Sequence, residues 1–170
     1  MESEFQGYSG TAFSPAGDKG RFSLPPAFRK EVRAASGDNR LLCIDKHDRW
    51  NCLIGFGTSR RAELKSNLKR EKKLAEKRGH DFDYDERSSE LFGFETIPFD
   101  DSGRFVMPSH LGELANITGG LFFRGADDFF TMWDPEELYK MGPSWRAAQA
   151  SCKNMVEQAQ AKLAGKGGAK

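Results

Sequence analysis

The sequence predicts an α+β fold: a tandem pseudo-repeat of two small β-rich units with short helices, joined by a charged helix and followed by a C-terminal helix. Three observations carry that expectation. The stretch GDKGRFSLP, residues 17–25, returns almost unchanged as DDSGRFVMP, residues 100–108. Around each copy, apolar residues alternate as in strands and then switch to the spacing of a helix. A strongly basic run separates the copies.

The repeat is explicit at a shift of 83 positions. PAGDKGRFSLP (15–25) lies over PFDDSGRFVMP (98–108), with six identities in eleven positions: Pro15/Pro98, Asp18/Asp101, Gly20/Gly103, Arg21/Arg104, Phe22/Phe105 and Pro25/Pro108. YSGTAFS (8–14) and GFETIP (93–98) are the candidate first strands. After each motif comes a short amphipathic helix closed by glycine: 25–37 carries Phe28 and Val32, and 108–119 carries Leu111, Leu114 and Ala115. At a register of 79, Leu42 to Ile44 then match Leu121 to Phe123, and Trp50 to Ile54 match Phe129 to Trp133. Each pair reads as two strands around a polar turn. The expected division is 5–57 for the first unit, 58–92 for a charged helical linker, 93–142 for the second unit, and 143–170 for a C-terminal helix with a flexible basic tail.

In the linker, Thr58 or Ser59 is placed to cap a helix whose basic residues include Arg60, Arg61, Lys65, Lys69, Arg70, Lys72, Lys73, Lys77 and Arg78. Lys69, Arg70, Lys72 and Lys73 are auxiliary candidates for phosphate contact. The same run also reads as a solvated face, or as a partner for the acidic stretch 81–90. DFDYDERSSELF (81–92) opens like a calcium loop, but Glu86 and Phe92 stand where glycine and glutamate are required. Asp134 caps a helix with Pro135 in its first turn.

The turn residues hold the chemistry. Gly20 and Gly103 suit a tight turn. Asp18, Asp100 and Asp101 are turn aspartates, with Asp18 and Asp101 expected to accept backbone amides and Asp100 or Asp101 able to pair with Arg104. If Phe22 and Phe105 face the core, Arg21 and Arg104 face out, where an arginine on a rigid strand can grip phosphate or read guanine. Lys19 adds charge to the first turn, where the second has Ser102.

Composition excludes several classes. A net charge of +1 over 170 residues does not by itself announce a nucleic-acid binder. The apolar runs are too short for a membrane span, and MESEFQGYSG does not read as a secretory leader. Three cysteines without CxxC spacing argue against a disulfide framework or zinc knuckle and favour a reducing cytoplasm. His47 with Asp45 and Asp48 sits in a polar turn; His80 and His110 have no evident partners. No P-loop, HExxH or nucleophile–base set stands at usable spacing, so no catalysis, metal, cofactor or small-molecule substrate is expected.

The doubled motif resembles the MraZ family of bacterial transcriptional regulators, of the AbrB-like swapped-hairpin class. Its motif, D-x-x-G-R-hydrophobic-x-x-P, fits in full from Asp100 to Pro108. The first copy departs at one place: Gly17 holds the position of the leading aspartate, and Asp18 follows it. FQG (5–7), LPPAFR (24–29) and GGLFFRGADDFFTMWDPEEL (119–138) extend the resemblance over roughly residues 5–140. It implies a nucleoid-associated homo-oligomeric ring that binds repeated elements in double-stranded DNA upstream of its own division and cell-wall operon, as a repressor, through Arg21 and Arg104 with Lys19 alongside. A second reading is an oligomeric scaffold of the same fold without specific DNA binding, which Gly17 and the modest charge favour.

Overall fold

The computed structural model describes residues 4–168. The first three residues of the N-terminal stretch and the last two of the basic tail lie outside them. The first copy comprises β1 (Thr11–Pro15), β2 (Arg21–Ser23), α1 (Pro26–Ala34), β3 (Leu41–Lys46) and β4 (Leu53–Phe56). The linker forms α2 (Arg60–Arg78) and α3 (Tyr84–Leu91). The second copy repeats the order with β5 (Glu95–Pro98), β6 (Arg104–Val106), α4 (Ser109–Leu114), β7 (Gly120–Gly125) and β8 (Phe130–Trp133). Two helices follow, α5 (Pro135–Tyr139) and α6 (Arg146–Gly168).

The copies interlock. One antiparallel sheet has the order β1-β7-β8-β4-β3-β5, so each copy's first strand pairs with the other copy's third. The motif strands β2 and β6 form a separate two-stranded ribbon, with Phe22 opposite Phe105. The ribbon is closed symmetrically: Leu24 N donates to Gly103 O at 2.8 Å, and Met107 N to Gly20 O at 2.9 Å. This is the expected α+β tandem pseudo-repeat of two interlocked β-rich units, and the exchange of strands takes place within one chain.

Strand alternation assigns the two faces of the sheet. Leu42, Ile44, Leu53, Leu121, Phe123, Phe130 and Met132 bury one face against the ribbon, α1 and α4, through Phe22, Leu24, Phe28, Val32, Phe105, Met107 and Leu111. Their strand neighbours face the other way. Cys43 and Phe56 meet Leu64 of α2, and Phe122 and Trp133 meet Leu138 of α5 with Ala148 and Cys152 of α6.

Several expectations change. The strand predicted from Trp50 begins at Leu53, and pairing matches Leu53–Phe56 to Phe130–Trp133, a shift of 77 rather than 79. The first hairpin turn is therefore two residues longer than the second. His47 explains it: its Nδ1 accepts from the amides of Arg49 (3.1 Å) and Trp50 (3.2 Å), while Lys46 Nζ donates to the carbonyls of His47 (3.0 Å) and Trp50 (2.6 Å). Burial lowers the His47 pKa, which keeps that nitrogen free to accept. Trp50 thus leaves the strand and packs on Trp145 and Trp133.

Ser59 occupies the N-cap position of α2 without a side-chain capping bond. The acidic stretch does not neutralise the basic helix. Instead Arg87 of α3 reaches back to Glu71 (2.8 Å), Glu90 (3.1 Å) and Asp48 (3.2 Å). Asp83 caps α3 through the amide of Glu86. His110 has a partner after all, Glu95 at 3.2 Å. Helix α6 runs to Gly168, beyond the Gly165 at which a flexible tail was expected. Burial pushes the Cys52 and Cys152 thiols up to about 12 and about 11 and raises Cys43, so all three behave as small apolar residues.

Candidate nucleic-acid interface

The ribbon is the site that the two motifs build together. Phe22 and Phe105 stack inward with centroids 6.2 Å apart and are 7% and 3% exposed. That anchors the pleat, and the alternate residues Arg21, Ser23, Arg104 and Val106 take the outward face. Arg21 lies opposite Val106, and Arg104 opposite Ser23. The two arginines are therefore diagonal neighbours, about 7–8 Å apart at the backbone. Both are exposed.

The turns that deliver them close on the same backbone bond and turn at a matched glycine. Gly17 N donates to Arg21 O at 2.9 Å, and Asp100 N to Arg104 O at 3.0 Å. Gly20 (φ 72°) and Gly103 (φ 82°) both require the left-handed region.

The side chains of the turns differ. Asp100 holds the second turn, its Oδ1 accepting from the amides of Ser102 (3.0 Å) and Arg104 (2.9 Å) and its Oδ2 from Arg104 Nε (2.7 Å). The backbone bond from Arg104, then the other donors, keep the Asp100 carboxyl below its usual range. Asp101, expected to accept backbone amides, instead turns toward Arg40 Nη1 at 3.5 Å. The Asp18 carboxylate has no hydrogen-bond or ion-pair partner among the described residues, so it does not substitute for the carboxylate missing at Gly17. Lys19 is exposed at φ 57° beside Arg21.

Sequence reasoning missed Arg29 as a part of this site. From α1 it crosses to the second turn, donating through Nη1 to Asp101 O (3.2 Å) and through Nη2 to Leu24 O (3.1 Å). At the repeat shift of 83 its counterpart is Gly112, a difference that was visible in the alignment but carried no weight without the contact.

The basic helix α2 stands elsewhere. Leu64 seats it on the sheet face opposite the ribbon, and Lys69, Arg70, Lys72 and Lys73 project to solvent there. Among the described residues, no group of three or more His, Cys, Asp or Glu side chains is arranged to hold a metal, and no helix is long and apolar enough to cross a membrane.

The chain that builds this ribbon is matched in sequence by known proteins. The chain is 29% identical over 151 residues to the Transcriptional regulator MraZ of Parvibaculum lavamentivorans, covering 88% of this chain and 89% of that protein. It is 30% identical over 118 residues to the Transcriptional regulator MraZ of Phocaeicola vulgatus, covering 69% of this chain and 73% of that one. The chain belongs to the MraZ family. A further MraZ, from Gluconacetobacter diazotrophicus, is 27% identical over 119 residues. No family model matches the chain. For an MraZ-family chain the departure at Gly17 is a local one: both turns close on the same backbone bond, but the first loses the carboxylate and turns through Lys19 at φ 57°, where the second has Gly103 N donating to Asp100 O at 2.9 Å.

Proposed function

We propose that this MraZ-family chain is a DNA-binding transcriptional regulator whose β2–β6 ribbon enters the major groove, with Arg21, Arg104 and Lys19 making the contacts. The supporting observation is the outward face of the ribbon. B-DNA's major groove, about 12 Å wide, admits a two-stranded ribbon, and arginine is the commonest reader of guanine there. Both arginines stand on strands braced from below by Phe22 and Phe105, so little backbone ordering is needed on binding.

The names of its relatives support regulation of transcription. Repression of its own division and cell-wall operon, action at the nucleoid and binding of repeated promoter elements as a ring-shaped homo-oligomer are the finer parts of the proposal. Several copies on successive repeats multiply a weak single contact. Leu163 of α6, which is 63% exposed, supports association between copies. Lys69, Arg70, Lys72 and Lys73 act from the far face as a sequence-independent attraction.

The test is fluorescence anisotropy of a labelled duplex from upstream of the chain's own gene, against a shuffled duplex, at several salt concentrations. The native duplex binds more tightly, and Arg21→Ala and Arg104→Ala each weaken it, Arg104→Ala by roughly 5- to 150-fold, the range of one good base contact, without changing the oligomer in sedimentation. Equal, weak binding of both duplexes rejects the sequence reader and favours the scaffold.

A further inference from the structure

We propose that the ribbon reads DNA with a built-in polarity: Arg104, clamped by Asp100, makes the base contact, while the unclamped Arg21, with Lys19, grips phosphate. This rests on the DNA-binding reading above and assigns different tasks to the two halves of the site.

The backbone is close to two-fold symmetric about the Phe22–Phe105 pair, and a symmetric ribbon would read a palindromic step. Three matched positions break that symmetry, all in one direction. The clamp Asp100 is matched by Gly17, the brace Arg29 by Gly112, and the neutral Ser102 by Lys19. Together they make the second turn rigid and the first turn open and cationic. The groove lined by Gly17, Lys19, Gly20 and Gly112 opens where the second turn has its brace.

The clamp also has the right chemistry. Asp100 takes Arg104 through Nε alone, at 2.7 Å, and the terminal nitrogens Nη1 and Nη2 have no partner among the described residues. Those two nitrogens form the fork that meets O6 and N7 of guanine. A guanidinium already oriented loses less freedom on binding, so the carboxylate serves as a positioning group for base reading. Arg21 has no carboxylate within ion-pair distance among the described residues. An arginine without a carboxylate partner, beside a lysine, matches the diffuse charge of a phosphate better than one base edge.

The inference is tested by measuring affinity for the upstream duplex with single base-pair substitutions stepped through one bound element. The native chain, Asp100→Asn and Gly17→Asp are compared, each at several salt concentrations. The expected result is one-sided. Substitutions under one half cost the native chain tenfold or more, and those under the other half less than threefold. Asp100→Asn flattens the sensitive half while keeping the salt dependence. Gly17→Asp adds sensitivity to the second half; the added Cβ would stand 3.1 Å from Arg21 O, a close contact that a shift of a few tenths of an ångström in the backbone relieves. Equal sensitivity in both halves of the native chain overturns the polarity and leaves DNA reading intact. So does unchanged one-sidedness in Asp100→Asn. Failure of the native chain to distinguish the upstream from the shuffled duplex overturns the DNA reading itself and the polarity with it.

Discussion

Gly20 and Gly103 occupy matched turns, yet their surroundings differ enough to separate two effects of glycine. A Cβ at Gly20 would meet nothing nearer than Met107 O at 3.9 Å. Gly20→Ala therefore carries only the left-handed strain, about 1–2 kcal/mol. A Cβ at Gly103 would stand 2.6 Å from Leu24 O and 2.5 Å from Arg29 Nε. Gly103→Ala adds overpacking of about 1–3 kcal/mol. Urea unfolding of the two variants should rank them in that order, and equal midpoints would contradict the packing of Arg29 on the second turn. Glu137 supplies a pH dependence. Its carboxylate accepts from Lys140 (2.8 Å), Asn116 (3.2 Å) and Asn51 (3.3 Å), and the Lys140 bond, first among these causes, lowers its pKa. A lowered folded pKa contributes stability that is complete above the unfolded carboxylate's value and is lost as pH falls through the folded one. The melting temperature should decline below about pH 4.3, and Glu137→Gln should show a smaller decline across that window than the native chain.

At the scale of elements, α2 divides into an inner and an outer side. Leu64 and Leu68 are 5% and 1% exposed, whereas Leu74 is 43% exposed. The helix is about 28 Å long at 1.5 Å per residue, and only its first half lies on the sheet. Leu68→Ala should cost about 2–5 kcal/mol in urea unfolding, and Leu74→Ala less than about 0.5 kcal/mol. Lys69→Ala with Arg70→Ala should leave stability unchanged, lower DNA affinity modestly on every sequence and shorten the salt slope. At physiological salt a charge on the far face acts weakly beyond about 8 Å. A changed sequence preference in that variant would place α2 at the bases and contradict the assignment of the ribbon.

At the scale of the molecule, interlocking determines cooperativity. β1 pairs with β7, β5 with β3, β4 with β8, and β2 with β6, so every strand of one copy has a partner strand in the other. The fragments 1–92 and 93–170 should each give a disordered circular dichroism spectrum alone and regain strand signal when mixed, while the whole chain melts in one transition. A folded, separately melting half would contradict the exchange of strands.

The sequence by itself determined the repeat, the inward phenylalanines, the outward arginines and the cap at Asp134, because these follow from local periodicity and turn chemistry. The side chain of Asp134 accepts from the amides of Glu136, Thr118 and Gly119. The sequence also contained the broken motif at Gly17 without its consequence. Tertiary structure alone decided that the hairpins exchange within one chain, that Asp100 rather than Asp101 holds Arg104, that Arg29 braces the opposite turn, and that the basic helix lies on the far side of the sheet. Each of those depends on which residues distant in the chain meet across a sheet or a turn. Pairing partners are chosen by the burial of both faces at once, a quantity that no single window of sequence contains.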